Sequence, residues 1–213
     1  ALTVGSKIEY TFVKTFNQYT KEKITVLLAK ALIDKVFSKN FYKTESEGEL
    51  DLFSQNDSKI PYYILGSCTG VDLENLKYER IWEEAPLPVD DPENAFRVIL
   101  GDFVTTEDGT GIVHTAPTFG ADDYKAAKSA VPEVPPLQII DENGNKVPLV
   151  DLKGKFIDNI GLISGKYVKN EYYDSSAIPE KSVDVEIAIK LKEQNLAFKV
   201  EKYSHSYPHC WRT

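Results

Sequence analysis

The chain has 213 residues, 42% of them hydrophobic and 27% charged, with a formal net charge of −8. That length supports one large domain with a buried core, and no run of about eighteen apolar residues is present to cross a membrane as a helix. Asp and Glu dominate residues 72–108, which excludes the basic stripe through which most proteins grip nucleic-acid phosphates.

The chain opens without an initiator in the strand-like ALTVGSKIEY, closes on HCWRT and holds no methionine. These edges read as cuts, so the expectation is a single domain, residues 1–213, excised from a longer polypeptide. There is no signal peptide at the start. Alternation in KIEYTFVKT (Ile8, Tyr10, Phe12) predicts a strand with one buried face. ITVLLAKALIDKVFSKN fits two periods: β-branched residues at Ile24–Val26 favour a strand, whereas Leu28, Leu32 and Val36 recur at helical spacing. Residues 40–60 are polar and predict a surface insertion. PYYILGSCTG predicts a strand ended by Gly66 and Gly70. GVDLENLKYERIW reads as a short extended segment or a helical turn.

Pro86, Pro88 and Pro92 interrupt any regular element. AFRVILGDFVTTEDGTGIVHT predicts two strands joined by a turn at residues 107–109. GADDYKAAKSAV predicts a helix that ends before Pro132 and carries Asp122 and Asp123 in its first turn. DENGNK is a turn between short strands. SVDVEIAIKLKEQNLAFKV predicts a further helix, capped by Ser182, with Val185, Ile189 and Leu196 on one face. No internal repeat stands out. Strands outnumber helices, so the expected class is a β-rich α+β domain with barrel-like closure. Cys68 and Cys210 are too few for a disulfide framework and suit a reducing cytoplasm.

The chemistry concentrates in GTGIVHTAPTFGADDY. Gly109 and Gly111 permit close backbone approach, Ile112 and Val113 build a strand, and His114 falls at its end, where side chains border clefts. Pro117 stops the strand and Gly120 turns the chain into the helix. A carboxylate in a first helical turn gains about 0.3–1 kcal/mol from the helix N-terminus. That accounts for one aspartate without any function, but not for the histidine beside it. On residues alone, the joint is either an ordinary strand–turn–helix connection or one wall of a pocket for a charged group.

Other candidates are weaker. GTGIVH lacks the lysine of a phosphate loop, and three histidines carry no Ser/His/Asp triad. His205, His209 and Cys210 are competent zinc ligands, but adjacent His-Cys after a proline is an unusual spacing and no fourth ligand is evident. No metal site is expected. Tyr62, Tyr63, Tyr172 and Tyr173 have faces for stacking on bases, yet they are unpatterned, which suits half-buried sheet positions.

GTGIVHTAP followed by FGADDY resembles the signature of the editing domain of the isoleucyl-tRNA synthetases, which are class I aminoacyl-tRNA synthetases. ALTVGSKIEY resembles the segment after that domain's threonine-rich peptide. NIGLISGKYV and LKEQNLAFKVEKYSHSYPHCWRT resemble its exit toward the catalytic body, while residues 40–100 are not diagnostic. In the valyl and leucyl relatives a lysine or another residue stands in place of His114, and a PAHD-like segment precedes the acidic helix start. His114 with APTFGADD therefore points to the isoleucyl branch.

The resemblance implies post-transfer editing, the hydrolysis of the ester that joins valine wrongly to tRNA(Ile). A missing methylene is too small a difference for a synthetic site to reject valine unaided. By the same resemblance Asp123 holds the substrate's α-ammonium, a sensible charge-assisted pairing. His114 lines the pocket and refuses isoleucine, and Thr115, Ala116, Pro117, Phe119 and Gly120 form the substrate wall. Asp122 is left as a helix-start charge. The attacking water is positioned by backbone, side chains and the terminal ribose, without a protein general base. No cofactor or metal is implied for this domain; the parent enzyme uses ATP and Mg. The implied partners are the acceptor end of tRNA(Ile) carrying valine and the remainder of the synthetase, in the cytoplasm. Because the threonine-rich peptide would precede Ala1, weak or no editing is expected of the piece alone. Editing by a valyl or leucyl relative, or a non-catalytic binding module, are the alternatives.

Overall fold

A computed structural model describes residues 1–200 of the chain. In chain order its elements are β1 (Leu2–Val4), β2 (Glu9–Phe16), β3 (Lys23–Ala29), α1 (Ile33–Val36), β4 (Phe41–Lys43), β5 (Ile60–Thr69), α2 (Gly70–Leu73), β6 (Val98–Leu100), β7 (Ile112–His114), α3 (Ala121–Ser129), β8 (Gln138–Ile140), β9 (Lys146–Pro148) and α4 (Val183–Glu193). Short 3-10 turns lie between them. The β-rich α+β expectation agrees with this mixture of many strands and few helices.

The largest sheet has the order β3-β2-β5-β4, with β4 parallel to β5 and the other pairs antiparallel. Strand β2 is central in this sheet and is buried on both faces rather than one: Tyr10, Thr11, Val13, Thr15 and Phe16 are all buried. On the β5 side the register shifts between Phe12 and Val13, where Leu65 is the extra, bulged residue. Gly66 lies beside this irregularity and does not end β5, which runs on to Thr69. The ambiguous segment resolves as β3 through Ala29 followed by α1, so Leu28 is buried as a strand residue. Residues 40–60 expose most of their side chains, yet Phe41, Thr44, Leu50 and Ile60 enter the core.

A smaller sheet has the order β6-β1-β7. The two strands expected to be joined by a turn are both present but do not pair with each other. β1 lies between them, parallel to β6 and antiparallel to β7. The two sheets meet at one corner. There the Ala29 N–H donates to the Thr110 carbonyl (2.8 Å), and the buried Tyr10 hydroxyl accepts from the Gly5 N–H (2.9 Å) and donates to the Gly111 carbonyl (2.7 Å). Gly111 is required at that corner, since its φ is +72° and a Cβ would lie 2.5 Å from that of Ala29. The ladders of the described residues stay as separate open sheets, so the barrel-like closure is not realised among them. Strands of three residues in the smaller sheet offer too few ladder bonds to carry the pairing around.

The C-terminal third is built from turns. Residues 141–145 and 151–155 form the same loop twice, a small repeat that the sequence reading missed. In each, the aspartate Oδ1 accepts the N–H groups two and four residues on, at 2.8–2.9 Å. Gly144 and Gly154 take φ of +81° and +78°, and each donates its N–H to the carbonyl of its aspartate at 3.0 Å. Helix α4 packs through Val183 and Ile187 against Ile160 and Ile163. Its expected face is corrected accordingly: Val185 and Leu196 are exposed, and Ser182 makes no side-chain cap. Lys190 pins this helix to residues 82–84, far earlier in the chain, through Glu84 (2.6 Å) and the ring of Trp82 (4.0 Å). The chain then returns to the β2–β3 turn, where the Asn17 and Gln18 side chains donate to the carbonyls of Ala197 and Phe198.

Candidate functional site

β7 ends at His114, and the tight turn 115–120 leads into α3. Thr115 is fixed first: its N–H donates to the Ala1 carbonyl (2.9 Å), its carbonyl accepts from the Ala1 nitrogen (3.1 Å), and its hydroxyl bonds that of Thr3. Both threonines are fully buried, so the Thr115 side chain faces the protein interior. The Ala116 carbonyl accepts the N–H groups of Phe119 (3.0 Å) and Gly120 (3.3 Å), closing the turn. Pro117 is half-buried and Phe119 is 65% exposed at the tip.

Asp123 then folds back over this turn. Its Oδ2 accepts the Ala116 N–H at 3.1 Å, seven residues earlier in the chain. Gly120 makes that possible, because a Cβ there would lie 2.7 Å from the same oxygen. Oδ1 accepts no hydrogen bond from the described residues. Asp122, by contrast, points outward and pairs with Lys125 at 3.2 Å, which fits a helix-start charge. The two neighbouring carboxylates therefore have different surroundings, as consecutive positions on a helix must.

His114 and Asp123 are close enough to act on each other. The imidazole's pKa is pushed below the ordinary histidine value, chiefly by desolvation, while Asp123 opposes the shift. More than a third of the His114 surface is nevertheless open to solvent. At neutral pH it is an uncharged ring beside an anion.

Sequence reasoning missed two supports of this arrangement. Thr3 carries no signal of its own in a strand read only for hydrophobic alternation. Arg97 is only 3% exposed; its guanidinium donates to the Asn75 side chain (2.7 Å) and to the Pro132 carbonyl just after α3. Its Nε–H is buried without a partner. An arginine in AFRVIL is a break in an apolar run, and that was the available clue. Tyr62 is buried, and Tyr173 packs edge-on to Tyr167. Among the described residues no group of three or more His, Cys, Asp and Glu is arranged to hold a metal ion. His205, His209 and Cys210 lie outside the described residues, and Cys68 is a free thiol.

No protein-family model matches the chain. Individual proteins do. The isoleucine–tRNA ligase of Cytophaga hutchinsonii is 49% identical over 224 aligned positions, which cover all of this chain and 19% of that enzyme. That of Bacteroides fragilis is 44% identical over 230 positions and that of Porphyromonas gingivalis 43%, again across the whole chain and 19% of each enzyme. This chain belongs to the isoleucine–tRNA ligases, as one segment of such an enzyme. The chain spans about a fifth of the length of the curated relatives it matches. Within this isoleucine–tRNA ligase segment, the His114–Asp123 turn is the place where a neutral ring, an open carboxylate oxygen and a helix N-terminus come together. No helix among the described residues is long and apolar enough to cross a membrane.

Proposed function

We propose that this segment is the editing domain of an isoleucine–tRNA ligase and that it hydrolyses the ester of valine misattached to tRNA(Ile). The supporting observation is the Asp123 carboxylate, folded over the 115–120 turn beside neutral His114 with one oxygen still open. That oxygen accepts the α-ammonium of the aminoacyl group and so fixes the ester. The imidazole stands beside the short aliphatic side chain as an apolar edge, which limits the pocket to valine and refuses isoleucine. Ala116, Pro117, Phe119 and Gly120 form the wall, and Thr115 holds that wall in place through its buried bonds.

Hydrolysis requires a water held against the ester carbonyl; its attack releases the amino acid and leaves the ribose hydroxyl free. Asp123, engaged with the ammonium, is not the base for that water. The domain uses no metal of its own. The parent attaches isoleucine to its tRNA with ATP and Mg, and works in the cytoplasm. High identity to isoleucine–tRNA ligases favours this reading over a valyl or leucyl editing domain.

The test is Asp123→Ala in the full-length enzyme. Loss of a charge-assisted contact predicts that hydrolysis of valyl-tRNA slows by at least about tenfold, with mischarged product accumulating. Unchanged hydrolysis would rule the assignment out.

A further inference from the structure

The loops at residues 141–145 and 151–155 share one backbone but differ in what stands before their glycine. The first reads Asp141-Glu142-Asn143-Gly144-Asn145 and the second Asp151-Leu152-Lys153-Gly154-Lys155. No other asparagine of the chain is followed by glycine. We propose that Asn143 is a self-modification site: the Gly144 main-chain nitrogen expels its side-chain amide as ammonia, leaving an aspartyl or isoaspartyl link that loosens the β8–β9 hairpin. The inference stands apart from the ester-hydrolysis reading and uses none of its residues.

Room for the reaction exists at the first loop and not at the second. Ring closure swings the side chain of one residue over the nitrogen of the next. A Cβ built at Gly144 would meet nothing within 4 Å, and residues 142–146 are all exposed. A Cβ at Gly154 would lie 2.5 Å from the Tyr172 ring, and that glycine is half-buried. Both glycines sit at positive φ. The turn thus requires at position 144 the residue that obstructs attack least.

The chemistry balances with water alone. The deprotonated Gly144 nitrogen attacks the Asn143 Cγ; an N–Cγ bond forms, the Cγ–Nδ2 bond breaks, and ammonia leaves with a proton returned by solvent. Nucleophile and carbonyl belong to adjacent residues, so the step is intramolecular. Water then opens the ring. Cleavage of the N–Cγ bond gives aspartate, whereas cleavage at the main-chain carbonyl routes the chain through Cγ and lengthens it by a methylene. Nothing is oxidised or reduced.

Loop closure sets the rate. The Gly144 N–H donates to the Asp141 carbonyl at 3.0 Å, and the Asp141 carboxylate accepts the N–H groups of Asn143 and Asn145. An exposed turn opens locally at little cost, and attack proceeds from the open form, so Asp141 acts as a latch. A lengthened chain between β8 and β9 disturbs their register at Ile140 and Lys146. The hairpin also reaches the candidate turn, since the Leu137 N–H donates to the Thr118 hydroxyl at 3.1 Å.

The experiment ages the full-length synthetase in mildly alkaline buffer and digests it for mass spectrometry. Within this segment, conversion of amide to acid is expected first at Asn143, with part of the product accepted by an isoaspartate-specific methyltransferase. Asn143→Lys, which copies the second loop, should remove that signal. Asp141→Ala should speed conversion by about two- to twenty-fold through loss of the loop bonds. Lys153→Asn sets the same residue pair beneath Tyr172, and conversion at position 153 should lag behind that at 143 in the same molecules. Hydrogen-exchange protection in β8–β9 should fall in aged wild type and hold in aged Asn143→Lys. Earlier conversion at another asparagine of the segment, equal rates at 143 and 153, no acceleration in Asp141→Ala, or full protection of β8–β9 after conversion would each overturn the proposal.

Discussion

The two principal sheets differ in what holds them. The four-stranded sheet has strands of up to ten residues and buries Tyr10, Val13, Leu28, Phe37, Leu50 and Ile60 in one continuous cluster. The sheet β6-β1-β7 has only three-residue strands; it joins that cluster through Val4, with Val98, Leu100 and Ile112 packed against it, and adds a small cluster of Ile99, Ala127 and Val134. Yet the second carries the candidate site. Apolar burial is non-directional and supplies stability without aiming a side chain. Around His114 and Asp123 the fixing is done by directional bonds instead: the paired hydroxyls of Thr3 and Thr115, the Ala1–Thr115 backbone pair and the Arg97 clamp. Bulk stability and the aim of side chains are thereby supplied by different kinds of contact.

That division is open to attack from either side. Leu28→Ala in the large core should cost about 2–5 kcal/mol by denaturant titration, while amide protection in α3 falls no more than in β2. Selective loosening of α3 by this change would contradict the separation. Arg97→Met should cost about 1.5–3 kcal/mol and lower hydrogen-exchange protection in α3 ahead of that in β2; equal loss in both would mean that the clamp is not local. The smallest effect is titration. Because the folded state holds the His114 pKa below its unfolded value, the unfolded chain takes up the extra proton first as the pH falls. This contribution is absent above the ordinary histidine pKa of about 6.5, and stability declines as the pH drops from there toward the folded value. His114→Gln should flatten that part of the stability–pH curve.

Much of the site was legible because it is local. Proline and glycine punctuation in HTAPTFGADD marks the turn, and two acids after Gly120 mark the start of α3, all within a dozen residues. What could not be read were pairings made across long stretches of chain. Insertion of β1 between β6 and β7 joins residues about a hundred positions apart, and no periodicity encodes that. Burial of β2 on both faces depends on its neighbours, so alternation alone suggested one face. Spacing puts Val185, Ile189 and Leu196 on one face of α4, but the helix meets the small cluster around Ile160 through Val183 and Ile187 and leaves Val185 and Leu196 exposed. The Asp-x-x-Gly repeat escaped notice because its identity lies in main-chain geometry, while the intervening side chains differ.

Those twin loops have a consequence for how the domain tolerates change. Each closes on itself through one carboxylate and one glycine, so residues added or lost at its tip need not disturb any strand alignment elsewhere. The matches to relatives run over 224 and 249 positions against a chain of 213 residues, so length does vary across this family. A scaffold that stacks self-contained turns can absorb such variation as a string takes extra beads, without retuning the chemistry at the other end.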